Sequence, residues 1–119
     1  MAWGNKTQIA SNLSVSNSSE VYSDTFTLKP KEFAHVQVYA DFPSSPTDDL
    51  EVKVYTTLDD SSENWDTRPF YSFEISNDQD HYVSFVLCGI YKARLGFKKS
   101  GSASETITVS AWIRKDGGT

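Results

Sequence analysis

The side chains of this 119-residue chain that could act as nucleophile or base near neutral pH are few: two histidines, His35 and His81, and one thiol, Cys88. Nucleophilic catalysis needs the nucleophile within hydrogen-bond reach of a base that a third group orients. His35 and His81 fall at polar positions of separate predicted strands, and Cys88 stands in no spacing relation to either. A Ser-His-Asp arrangement can be drawn only by free choice among many Ser and Asp residues. No catalytic residue is assigned, and the chain reads as non-enzymatic. A metal enzyme on a cupin-like scaffold needs clustered His and carboxylate ligands, which two separated histidines do not supply.

Acidic residues collect in three stretches: Asp48 with Asp49, Asp59 and Asp60 with Glu63 and Asp66, and Asp78 with Asp80. Calcium takes about six to eight oxygens that loops can provide, but the EF-hand spacing with its central Gly and terminal Glu is absent. Asp is also a turn former, so these stretches read as solvated turns holding no metal and no cofactor. A pair of carboxylates could flank a glycosidic bond only in a cleft, and spacing alone reveals none.

Aromatic side chains are the richer signal. Tyr39, Tyr55 and Trp112 fall on the polar rows of their predicted strands, so with Trp3 and Trp65 they could form an outward platform. Such a platform could stack on sugars, but a bare apolar patch more often marks a protein contact. Trp3, Ile9, Tyr39, Tyr55, Trp65 and Trp112 are therefore assigned to a protein interface. An extended arm over 1–8 could add a strand to a neighbour's sheet edge; alternatively, Trp3 covers the domain's own core. Trp65 with the Asp and Asn side chains of 59–67 is the alternative sugar-reading site, unless Trp65 plugs one end of the fold. Cys88 closes the apolar run Phe85-Val86-Leu87-Cys88 and reads as a small hydrophobe rather than a reactive or disulfide-forming thiol.

These residues must be positioned by strands. Aromatics make up 13% of the chain, β-branched residues recur, and runs of helix formers are scarce, the bias of pleated, half-buried surfaces. Alternation of apolar and polar residues predicts about eight strands, over 8–15, 21–28, 33–42, 50–58, 70–75, 82–88, 90–99 and 106–115. In 33–42 the inward row is Ala34, Val36, Val38, Ala40 and Phe42. In 50–58 it is Leu50, Val52 and Val54, in 90–99 Tyr91, Ala93, Leu95 and Phe97, and in 106–115 Ile107, Val109, Ala111 and Ile113. Polar turns rich in Ser, Asp, Asn and Pro separate the strands, and Ser100-Gly101-Ser102-Ala103 reads as a hairpin loop joining the last two. The pattern argues for one all-β domain over 1–119, an antiparallel β-sandwich or jelly roll, with a mobile tail over 116–119. Sandwich and jelly roll differ in connections that alternation does not encode.

A chain of this length buries roughly 65–70% of its unfolded surface, enough for one core. The net charge of −5, with no basic run longer than Lys98-Lys99, argues against nucleic acid, which needs a basic face to displace counterions. No stretch approaches the ~20 apolar residues of a membrane span, and 1–7 lacks the apolar core of a signal peptide. Synthesis in a cytoplasm is expected. A lone cysteine forbids an intramolecular disulfide, and the sequons at Asn5, Asn12 and Asn17 then carry no glycan.

The segment Ser45-Pro46-Thr47-Asp48-Asp49-Leu50-Glu51-Val52-Lys53-Val54-Tyr55, continuing through Leu58-Asp59-Asp60 to Asn64-Trp65-Asp66-Thr67-Arg68-Pro69-Phe70, resembles small virion proteins of tailed bacteriophages. The stretch Ser84-Phe85-Val86-Leu87-Cys88-Gly89-Ile90-Tyr91-Lys92-Ala93-Arg94 is similar to them too, as are Gly101, Thr106-Ile107-Thr108-Val109 and Arg114-Lys115-Asp116-Gly117. The similarity spans about 24–117 in style and loose spacing, without a diagnostic signature. It implies a β-sandwich or jelly-roll module on the virion, of the capsid cement or decoration type. It further implies a homo-oligomer docked on the major capsid protein, with no nucleic acid and no membrane as partner. The alternative it leaves open is a carbohydrate- or receptor-binding module on tail or head.

Overall fold

A computed structural model describes residues 3–16, 19–61 and 64–117. Its elements are β1 (Thr7–Val15), β2 (Val21–Tyr22), β3 (Phe26–Thr27), β4 (Glu32–Asp41), β5 (Leu50–Thr57), β6 (Tyr71–Ile75), β7 (His81–Leu87), β8 (Lys92–Lys99) and β9 (Ile107–Gly117). One sheet has the order β1-β9-β4-β7; the other runs β2-β8-β5-β6, with β3 also on β8. The antiparallel pairs are nested, β1 with β9, β2 and β3 with β8, β4 with β7, β5 with β6. Two further pairs, β4 with β9 and β5 with β8, roll this long hairpin into two layers. That connectivity is the jelly roll.

Alternation decides which side chains meet between the layers, because successive residues of a strand point to opposite faces. Val36, Val38, Leu50, Val52, Val54, Leu95, Phe97, Ile107 and Val109 are fully buried, and each such side chain contributes about 1.5–3 kcal/mol by leaving water. The expected inward rows are correct except at Tyr91, which is exposed and precedes β8.

Several expectations need correction. The single strand over 21–28 is two short pieces. Ser23 Oγ accepts the Leu95 amide at 2.9 Å where a backbone carbonyl would, and the Asp24 amide donates to Ile9 O of β1 in the other sheet at 2.7 Å. The side-chain oxygen competes for a ladder partner, and the strand breaks. Nor is 100–106 a hairpin loop: β8 and β9 lie in different sheets, so this segment crosses between layers. Cys88 is exposed because Phe85 and Leu87 take the inward row of β7, which leaves Val86 and Cys88 on the outward one.

The arm expected over 1–8 is laid along β9 from Gly4 onward. The Gly4 amide donates to Lys115 O at 2.6 Å, Arg114 Nη1 donates to Gly4 O at 2.9 Å, and Thr7 and Gln8 belong to β1. Of the tail expected over 116–119, Asp116 and Gly117 end β9 opposite Phe33 and Glu32; residues 118 and 119 lie outside the described residues.

The crossing segment is held by a polar clasp. Lys99 continues the inward row of β8, and its side chain is 1% exposed. Its ammonium donates to the carbonyls of Ala103 and of Glu105, the latter at 2.8 Å, and lies 3.8 Å from Asp48 Oδ2. Asp48 in turn accepts the Ala103 amide at 3.1 Å, and a Cβ at Gly101 would run into the Asp48 carboxylate and force it to shift. Glu105 accepts from the Thr47 hydroxyl at 2.6 Å and from the Thr47 and Asp48 amides at 2.9 and 3.0 Å. The Thr47 hydroxyl and amide hold the Glu105 carboxyl below its ordinary range.

Removing one partner of a buried pair strands the other's charge. Lys99→Met should therefore lower unfolding stability by about 3 kcal/mol in urea titrations followed by tryptophan fluorescence; an unchanged midpoint would contradict the clasp. Because the folded Glu105 carboxyl is the stronger acid, its contribution is full above the ordinary carboxylate range and is lost as pH falls through the lowered value. Glu105→Gln should flatten that part of the acid-unfolding curve.

Candidate functional site

With one row of each central strand committed to the core, function falls to the outer rows. On the β1-β9-β4-β7 sheet these are His35, Gln37 and Tyr39 of β4, Tyr82 and Ser84 of β7, and Trp112 and Arg114 of β9. Tyr39 stands directly opposite Tyr82, while Gln37 lies between Ser84 and Trp112. The Tyr39 and Tyr82 rings stack at 4.4 Å between centroids with 27° between planes, and Tyr82 reaches diagonally toward Trp112 at 6.5 Å and 29°. Lys6 places its ammonium 5.1 Å from the centre of the Trp112 ring, a cation–π contact. Trp3 tilts onto His35 at 5.8 Å.

Beside this row lies a shallow hollow of about 140 Å³ lined by Lys6, His35, Gln37, Ser84, Trp112 and Arg114. Its rim is basic. The far end of the row is acidic: Asp80 accepts the Phe42 amide at 2.9 Å and sits 3.4 Å from the Tyr39 hydroxyl, and Asp78 pairs with His81 at 2.8 Å. The contact of Asp80 with the Tyr39 hydroxyl is at the long limit for such a bond. Desolvation, then the charges of Asp80 and Asp41, raise the Tyr39 phenol, and the His81 contact lowers Asp78. A partner with acidic groups toward one end and donors toward the other would match this face.

Trp3, Tyr39 and Trp112 are thus brought together, as part of a row that also includes Tyr82. The others are elsewhere. Ile9, assigned to an interface, is 4% exposed and belongs to the core, because β1 turns that side chain between the layers. Tyr55 and Trp65 lie over the other sheet. Trp65 does not plug an end of the fold: the Arg94 guanidinium lies 4.6 Å from its ring and 3.8 Å from that of Tyr22. Tyr22 meets Tyr55 edge-on at 6.2 Å. The Tyr55 hydroxyl donates to Glu20 at 3.1 Å, and Lys53 is 3.9 Å from the same carboxylate. Gly96 leaves the space beneath, since a Cβ there would stand 2.9 Å from both Glu20 and Tyr55 side chains.

The acidic stretches are spent locally. Asp59 accepts from the Ser61 amide and hydroxyl at 3.0 and 2.7 Å and from Asn64 Nδ2 at 2.8 Å, which holds its carboxyl down at about 2. Asp60 accepts from the Tyr91 hydroxyl, and Asp66 from Thr56 at 3.1 Å; Glu63 lies outside the described residues. Among the described residues, no three His, Cys, Asp or Glu side chains converge as metal ligands, and no helix is long and apolar enough to cross a membrane. Sequence reasoning passed over Tyr82 and Lys6. Tyr82 had a usable signal, its place on the outward row of β7, but its meeting with Tyr39 depends on a pairing across 43 positions.

No protein-family model matches the chain, and no curated protein matches it.

Burial and the hydrogen bond to Glu20 push the Tyr55 phenol up to about 12. In an alkaline ultraviolet titration Tyr55 should ionise last, near pH 12, and Tyr55→Phe should remove that step. The raised value favours the folded state fully below the ordinary phenol range, and this contribution fades as pH climbs toward 12.

Proposed function

We propose that this chain is a non-enzymatic structural protein of a bacteriophage virion, a capsid cement or decoration protein that stabilises the head. It docks on the major capsid protein through the outer face of the β1-β9-β4-β7 sheet. The observation that carries the reading is the aromatic row of Trp112, Tyr82 and Tyr39 on that face, with Tyr82 63% exposed. Tyr and Trp dominate protein-interface energetics because they remove much apolar area from water while fixing few torsions. The resemblance to small phage virion proteins supports the setting, and the jelly-roll scaffold suits a rigid bridge between capsid subunits.

The physics of cementing is simple. Apolar area shared with two neighbouring subunits is worth about 25 cal/mol per Å², and repetition over a shell turns modest single contacts into firm retention. The rival reading, a tail- or head-exposed module reading glycans through Trp65 and 59–67, has less support. The Trp65 ring is engaged by Arg94, and Asp59 and Asp60 are already hydrogen-bonded within the molecule.

Capsids stripped of the protein should take up the wild-type chain and the opposite-face variant Trp65→Ala equally. Trp112→Ala should bind at least about tenfold more weakly, the loss typical of an aromatic interface anchor. Equal uptake of Trp112→Ala would remove this face from the proposal, and a glycan-array signal abolished by Trp65→Ala would replace the proposal with its rival.

A further inference from the structure

A sheet edge left bare invites another strand, and proteins blunt such edges with bulges, shortness, charge or proline. Three of the four edges here are blunted. β1 carries register shifts between Gln8 and Ala10 and between Ala10 and Leu13, with Asn12 at a φ of 48°. On the far side of β8 the edge is broken into two pieces of 2 residues, β2 and β3. β6 is 5 residues long, follows Pro69 closely and bears Glu74.

β7 has none of these devices. It is 7 residues long, pairs with β4 in unbroken register from Leu87 to His81, and contains no Pro, Lys, Arg, Asp or Glu. Its other edge is unpaired among the described residues. Apolar exposure also gathers here. Tyr82 and Val86 of the outward row are 63% and 55% exposed, and Tyr71 of β6, which meets Phe85, is 47% exposed. Phe85 of the inward row is only half-buried, against Tyr71 and Phe73 at 5.8 and 5.4 Å.

We propose that β7 pairs antiparallel with β7 of a second copy of this chain, about a twofold axis through Ser84, making one continuous eight-stranded sheet. The strand is complementary to itself in that register. Tyr82 falls opposite Val86 of the second copy, Val83 opposite Phe85 and His81 opposite Leu87, so inward residues meet inward ones, and apolar meets apolar at the centre of both faces with His81 at the ends. No like charges meet, since Asp80 falls opposite Cys88 of the second copy. The same operation brings the half-covered Tyr71, Phe73 and Phe85 of both copies to one seam. This adds apolar area to the backbone bonds, as an isologous interface requires. The pairing does not rest on the capsid reading; Trp112, on β9, is separated from the seam by β4.

Two measurements test it on the full chain. Sedimentation in the micromolar range should show a doubling of mass with concentration. A spin label on the single, exposed Cys88 should report a pair separation set by eight residue steps, about 27 Å between Cα atoms at about 3.4 Å per residue. A third test fixes the register: Tyr82→Glu with Val86→Glu, and Tyr82→Lys with Val86→Lys, should each be monomeric alone and form a mixed dimer together. Near-ultraviolet circular dichroism checks that both variants are folded, and the label distance in the wild-type chain needs neither of them. A wild-type chain that stays monomeric throughout, a dimer with a clearly different Cys88 separation, or folded variants that do not combine would each overturn the proposal.

Discussion

The structure depends on one constraint, the two-residue period of the extended chain, applied to strands that each have a single face to bury. In β4, Ala34, Val36, Val38 and Ala40 are all fully buried, and Ile107, Val109 and Ala111 of β9 answer them in the same layer. In the facing sheet Leu50, Val52 and Val54 of β5 and Ala93, Leu95 and Phe97 of β8 do the same. A slip of one residue in any of these pairings would put polar side chains into that layer, so register and fold are specified together. The outer rows are released from packing, which is why Tyr39, Tyr82 and Trp112 can serve another purpose without weakening the core.

This explains what could be read from residues alone. Apart from the broken 21–28 and the misplaced Tyr91, alternation located the strands to within one or two residues and named the inward rows, since burial is a property of each strand taken by itself. It could not pair them. Whether β8 turns back on itself into β9 or crosses to the other sheet depends on contacts such as Lys99 with the Ala103 and Glu105 carbonyls, which no local period encodes. Ser23 broke a strand because its hydroxyl oxygen replaced a backbone acceptor, an event that periodicity ignores. Cys88 ends a four-residue apolar run, yet its thiol is exposed, because β7 lies at an edge and buries one row only. Tyr39 and Tyr55 were both correctly outward, but on opposite sheets, and only the strand order separates them.

The polar groups divide into two kinds by what surrounds them. Asp48 and Lys99 sit at the end of the layer with side chains 9% and 1% exposed, where pairing is forced because neither charge can be left alone out of water. Their role is specific: they hold 100–106 in the one course that lets β8 and β9 occupy different sheets. Asp59 instead fixes an exposed loop from within, while Asp60 and Asp66 tie that loop to Tyr91 and to Thr56 of β5. Carboxylates so engaged are poor starting points for a cation site, because a metal would have to displace bonds already made.

The outer aromatics follow a related logic. Tyr82 is stacked on Tyr39 and approaches Trp112, Lys6 covers part of Trp112, and Arg94 lies over both Tyr22 and Trp65. A flat ligand such as a sugar ring needs an open π face, and each of these rings already meets a neighbouring ring or cation. A protein partner needs no such opening, because it can close over ring edges and the apolar surface between them. Stacking within the molecule has already restricted these side chains, so less rotamer freedom remains to be lost on association. A row ordered in this way on a rigid sheet is better suited to wide, shallow contact with another protein than to a small molecule in the hollow beside it.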